Sequence, residues 1–148
     1  MKYSKLMRER IRRVRVLFRE LGYDVIEGER SEESFSAAYE DEEGFLGGFF
    51  IDADNKFLEI AFTFSFSNEL GSYLQQRIEE ILKICYEFGC YLNVQNAGAE
   101  IEFSVFSKIY YAGLNYYSLR ETLRDFQGCV ESIKEVVDLH KDVGEDET

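Results

Sequence analysis

Between Leu58 and Phe66 every second residue is large and apolar. Leu58, Ile60, Phe62, Phe64 and Phe66 alternate with Glu59, Ala61, Thr63 and Ser65. Successive side chains of a strand point to opposite faces, so this segment has one greasy face and one small or polar face. That is the pattern of an antiparallel sheet covered on one side. Shorter alternations recur at Phe35, Ala37 and Tyr39, at Leu92 and Val94, and at Ile101, Phe103 and Val105 on towards Tyr110. Phe45 to Asp52 is mostly apolar, and Gly47 and Gly48 within it suggest a bulge or a close approach. Asp41-Glu42-Glu43-Gly44, Asp54-Asn55 and Asn96-Ala97-Gly98 supply turn chemistry between these runs. Asp24 to Glu33 is polar and acidic and reads as a loop after a short extended stretch.

Three segments repeat at helical spacing instead. Met7, Ile11, Val14, Phe18 and Leu21 step by four, three, four and three, which predicts a helix over residues 4–21 stopped by Gly22. Leu70, Leu74, Ile78, Ile81, Leu82 and Cys85 predict a second, capped by Ser67 or Asn68 and ended by Gly89. Leu119, Leu123, Phe126, Val130, Ile133 and Val137 form a narrow seam of 3.5-residue period that continues to His140. Ser118-Leu-Arg-Glu121 reads as a capping box, so this third helix is expected from Ser118 to about Lys141. At 1.5 Å per residue it is about 36 Å long, comparable to the domain's diameter. The seam is therefore a candidate dimer interface as well as a candidate core face against its own sheet.

The predicted order is α-β-β-β-α-β-β-α, an α+β fold with an antiparallel sheet packed with helices. It forms a single domain over residues 1–141, followed by an acidic tail at 142–148.

Charge divides the chain. Over the 148 residues the net charge is −12, yet residues 1–20 hold eight Lys and Arg against two Glu. The first helix region is thus +6 and the remaining 128 residues are −18. An acidic body of this kind excludes a general nucleic-acid binder, which needs a positive surface for phosphates. At 100° per residue, Arg8, Arg12, Arg15 and Arg19 fall within about a 60° sector beside the apolar face. They are either a solvated stripe neutralised by the body, with Glu32, Glu33 or Asp41 as partners, or a docking strip for an acidic partner segment. The chain is 45% hydrophobic and 16% aromatic, which excludes disorder for most of it. Tyr110, Tyr111, Tyr116 and Tyr117 cluster between the last strand and the last helix. They suit either peptide recognition or coverage of a loop.

Catalytic signals are sparse. The only histidine, His140, lies on the third helix, and eleven residues separate it from Cys129. That is about 16 Å on a continuous helix, too far for a Cys–His nucleophile. Gly44-Phe-Leu-Gly47-Gly48 lacks the lysine of a phosphate loop, and Asp52-Ala-Asp54-Asn55 lacks the later positions of a calcium loop. Cys85, Cys90 and Cys129 have no CxxC spacing and read as free thiols of a reducing cytoplasm. No enzyme activity, metal or cofactor is expected. No apolar run reaches the ~20 residues of a membrane helix, and no membrane association is expected.

With this order of elements, the strand Lys56–Phe66 and the preceding Gly48-Phe-Phe-Ile-Asp52, the chain resembles the type III secretion chaperone fold and the related YbjN family. The resemblance implies a non-enzymatic, chaperone-like module, cytoplasmic and often a homodimer, that holds a peptide segment of a partner protein. The YbjN side of it implies an alternative, a regulatory or small-ligand-binding domain with a pocket between sheet and helices.

Overall fold

The computed structural model describes residues 3–138. His140, the expected end of the third helix and the acidic tail lie outside the described residues. Within them the chain forms α1 (Lys5–Glu20), β1 (Asp24–Arg30), β2 (Ser34–Glu40), β3 (Leu46–Asp52), β4 (Phe57–Ser67), α2 (Gly71–Phe88), β5 (Tyr91–Ala97), β6 (Glu100–Tyr110) and α3 (Tyr116–Val136). Short 3-10 turns precede α2 and α3. The six strands make one antiparallel sheet in the order β1-β2-β3-β4-β6-β5, and the fold is α+β with the helices packed on the sheet.

One strand more is present than the sequence predicts. Asp24–Glu33, read as mostly loop, is β1 up to Arg30. It pairs with β2 from Asp24↔Glu40 to Arg30↔Phe35, with a register shift between Glu27 and Arg30. Apolar alternation is missing because β1 is an edge strand that is exposed on both faces over most of its length.

The long pair β4–β6 carries the centre of the sheet. It runs from Phe57↔Tyr110 to Ser67↔Glu100 without interruption. Leu58, Ile60, Phe103, Val105 and Ile109 point to the helix side and are buried, joining Phe35, Phe49 and Ile51 from β2 and β3. α1 lies over β1–β3, and α2 and α3 pack together over β5 and β6. Met7, Ile11, Val14 and Phe18 of α1 are the buried positions, as its spacing predicts. Phe18 stacks on Phe49 at 4.7 Å and meets Tyr39 at 5.0 Å. Removing such a set of side chains from water at roughly 25 cal/mol per Å² is what holds helix to sheet.

Helix ends show where local chemistry decides. Gly22 and Gly89 take positive φ (92° and 71°) at the stops of α1 and α2. The start of α3 differs from the expected box. Asn115 is its cap: Asn115 Oδ1 accepts the Ser118 N–H at 2.9 Å, and Ser118 Oγ accepts the Asn115 N–H at 2.9 Å. Ser118 is the third helical residue, and Glu121 pairs instead with Arg120 and Arg124.

Candidate functional site

The arginines of α1 separate into two groups by what their side chains reach. Arg10 donates to the carbonyls of Asp52 (3.2 Å), Ala53 (3.4 Å) and Asn55 (2.9 Å), and its guanidinium lies 4.3 Å from the Tyr111 ring centroid. Arg13 donates to the carbonyls of Tyr111 and Leu114. These two clamp the β3–β4 turn and the segment before α3 onto the helix. Arg8, Arg12, Arg15 and Arg19 face the other way. Among the described residues none of the four has an ion-pair or hydrogen-bond partner.

The carboxylates expected to neutralise the stripe do not reach it. Asp41 Oδ1 accepts the N–H groups of Glu43 (3.0 Å) and Phe45 (2.8 Å) and so builds the β2–β3 turn. Glu32 and Glu33, in the β1–β2 turn, form no ion pair with the four arginines. The stripe lines an open groove of about 400 Å³, together with Tyr3, Ile11 and Arg30 of β1. Arg30 also pairs with Glu27. The groove is thus walled by five guanidinium groups of which four are unpaired. Planar, forked and permanently charged, they suit carboxylate or phosphate groups. Arg30 is the member that sequence reading missed, because it falls in the segment read as loop.

The four tyrosines do not form one surface. Tyr110 is 59% exposed on the sheet face opposite the helices, edge-on to Phe57. Tyr111 turns towards α1 beneath Arg10, and burial pushes its hydroxyl up to about 12 against the opposing pull of the Arg10 charge. Tyr116 and Tyr117 touch one another at the start of α3, with Arg120 over both rings.

The seam of α3 is used inside the chain. Leu119, Leu123, Phe126, Val130, Ile133 and Val137 are all buried against the sheet and α2. They offer no surface to a second copy, because the greasy side of β6 and the apolar side of α2 already occupy the seam.

A second groove, also about 400 Å³, opens between α2 and the β5–β6 edge. Its lining is almost wholly apolar and includes Leu74, Ile78, Val94, Ile101 and Phe103. Beneath α2 and α3 the three cysteines are free and buried together. Hydrogen bonding with Cys129, and then burial, push the Cys85 thiol up. Cys129 is pulled down by Cys85 but raised by the Cys90 contact and by burial, to about 12. These are packing thiols, not nucleophiles. Among the described residues no group of three or more His, Cys, Asp or Glu is arranged to hold a metal ion, and no helix is long and apolar enough to cross a membrane.

No family model matches the chain, and no curated protein does. Among solved structures, an uncharacterized protein from Methanothermobacter thermautotrophicus has a similar fold, with a TM-score of 0.60 and 16% sequence identity over 82% of this chain and 94% of that one.

Proposed function

We propose that the chain is a non-enzymatic, chaperone-like protein-binding module that holds a peptide segment of a partner protein. The observation that carries this reading is the groove lined by Arg8, Arg12, Arg15 and Arg19, none of which has an ion-pair partner among the described residues. Like charges three and four residues apart repel by a few tenths of a kcal/mol per pair, so an unneutralised row costs the free protein stability. An acidic partner segment relieves that cost and gains charge-assisted hydrogen bonds. The −18 of the remaining chain turns a polyanion such as nucleic acid or a membrane surface away, while a short acidic segment needs only the groove. The resemblance to secretion chaperones and YbjN proteins points the same way, and with it come a cytoplasmic setting and a homodimer.

The test compares wild type with a variant carrying Arg8→Gln, Arg12→Gln, Arg15→Gln and Arg19→Gln, both checked for the same fold by circular dichroism. Native-cell extract is passed over each at low salt, and retained proteins are identified. The expected result is a partner held by wild type through an acidic segment, lost by the variant and released by salt. Equal retention by both forms removes the groove as the binding surface.

The apolar groove between α2 and β5–β6 favours a second reading, a regulatory domain that takes a small apolar ligand there. Filling it with Ile78→Trp separates the two. The ligand reading predicts loss of binding, and the peptide reading predicts no change in partner retention.

A further inference from the structure

β1 is one of the two edge strands of the sheet, β5 being the other. It pairs with β2 alone, so along its other side alternate backbone N–H and C=O groups have no strand partner among the described residues. Such an edge is a ready template for another strand. It also lies alongside the arginine groove. After α1 the chain reverses at Gly22 and Tyr23, and β1 runs back until Arg30 lies over the ring of Tyr3, 5.9 Å from its centroid. Helix and strand are therefore antiparallel neighbours.

The two faces of β1 follow from its register. Val25 lies opposite Tyr39, Glu27 opposite Ala37 and Arg30 opposite Phe35, and those three partners are buried on the helix side. A strand added beyond β1, about 4.8 Å further out, turns its helix-side residues towards the flank of α1. That flank carries Arg8, Arg12, Arg15 and Arg19. We infer that groove and edge are one site, at which an acidic peptide segment adds to β1 as a strand and presents carboxylates at positions i, i+2 and i+4 to the arginines. This rests on the peptide-holding reading above and adds the backbone geometry and the sequence spacing of the partner.

The spacings agree. Arg8 to Arg19 covers eleven residues, about 16 Å of helix axis. Alternate residues of a strand recur about every 6.6 Å, so three carboxylates span about 13 Å. Each then falls within reach of one or two guanidinium groups on flexible stems. The same charges decide against a second copy of this chain at the edge, since pairing two β1 strands sets two arginine rows against each other. An apolar added strand leaves the row uncompensated.

The probes are two fluorescein-labelled peptides of one composition, Thr-Glu-Val-Glu-Val-Glu-Thr and Thr-Val-Glu-Glu-Glu-Val-Thr, titrated with the full chain and read by anisotropy at low salt. The alternating peptide is expected to bind about tenfold tighter. The four-glutamine variant should abolish that margin. Two N-methylated forms of the alternating peptide test the backbone. One has methyl groups on the amides of the Glu residues, the other on those of the intervening residues. On one strand these two sets face opposite sides, so one form should lose binding and the other keep it. Equal affinity of the two unmethylated peptides, or equal effects of the two methylation patterns, overturns strand addition and leaves the groove reading standing. Binding that is unchanged in the four-glutamine variant overturns both. Tighter binding of a single-stranded oligothymidylate or of phosphatidylserine vesicles than of either peptide, at the same salt, overturns the assignment to a peptide.

Discussion

Arg30, the last residue of β1, lies over the ring of Tyr3, just ahead of α1, with 5.9 Å between guanidinium and ring centroid. This contact between the two ends of a helix–strand reversal brings a guanidinium from the sheet to a row of four on the helix. It converts a helical stripe, one-dimensional in the sequence, into a walled groove.

That row costs the free protein stability. Four like charges without a partner among the described residues destabilise α1, so Arg8→Gln, Arg12→Gln, Arg15→Gln and Arg19→Gln together should leave stability unchanged or raise it, by up to about 1 kcal/mol. The gain should be larger at 10 mM than at 500 mM salt, because salt screens the repulsion. Thermal melts at the two salt concentrations measure it. A large loss of stability at both would show that the four side chains hold the fold together.

Arg10 should behave in the opposite way, although it lies two residues from both Arg8 and Arg12. Its guanidinium serves three carbonyls of the β3–β4 turn and covers Tyr111. Arg10→Ala leaves that turn without its donor and should cost about 1–3 kcal/mol, seen as a lower denaturation midpoint with an unchanged slope.

Gly47 and Gly48 should respond differently to the same added methyl group. A Cβ at Gly47 would sit 2.5 Å from the Tyr39 ring, whereas at Gly48 the nearest atoms are carbonyl oxygens at 3.7 Å. Tyr39 is itself buried beside Phe18, Tyr23 and Phe45, so its ring has little room to retreat. Gly47→Ala should therefore cost about 1–3 kcal/mol, and Gly48→Ala well under 1 kcal/mol. Urea denaturation of the two variants side by side distinguishes them.

Alkali should unfold the protein before it ionises the core. Cys129 and Tyr111 both titrate near 12 in the fold, above the ordinary values of 9.0 and 10.0. Between those limits the unfolded chain has released protons that the folded chain retains. Stability conferred by the neutral forms is thus complete below about pH 9 and declines as pH rises towards 12. The slope approaches about 1.4 kcal/mol per pH unit for each group within its window. Denaturation midpoints should be level from pH 8 to about pH 9 and fall from there to pH 11. At pH 8 the three thiols should react with a disulfide reagent only after unfolding.

Much of this fold is visible in the sequence because one physical rule governs it. Leu58 to Phe66 alternates since its sheet face is covered on one side, and Met7 to Phe18 repeats at helical spacing since α1 buries one side. β1 was invisible for the converse reason. Exposed at the rim of the sheet, Glu27, Glu29 and Arg30 have no burial to enforce alternation. Arg30 and this edge of the sheet are hidden with β1, so the sequence displays the stripe but not the groove. The cap of α3 lies three residues before the expected one because Asn115 and Ser118 both carry cap chemistry, and only the backbone shows which residue leaves the helix. Tyr110 to Tyr117 looked like one cluster because their closeness in sequence says nothing of the turn that sends Tyr110 and Tyr111 to opposite sides of the sheet.

The seam of α3 yields the last prediction. A 3.5-residue repeat is common to a coiled-coil interface and to a helix buried by its own sheet, and here Leu123, Phe126 and Val130 are buried within one chain. If the seam held two subunits together, Leu123→Ala would lower the molar mass at dilute concentration before it altered the fold. Because the seam is core, Leu123→Ala should instead cost about 2–5 kcal/mol of unfolding free energy. The cost should be independent of protein concentration, and the molar mass by light scattering should equal that of wild type at every dilution.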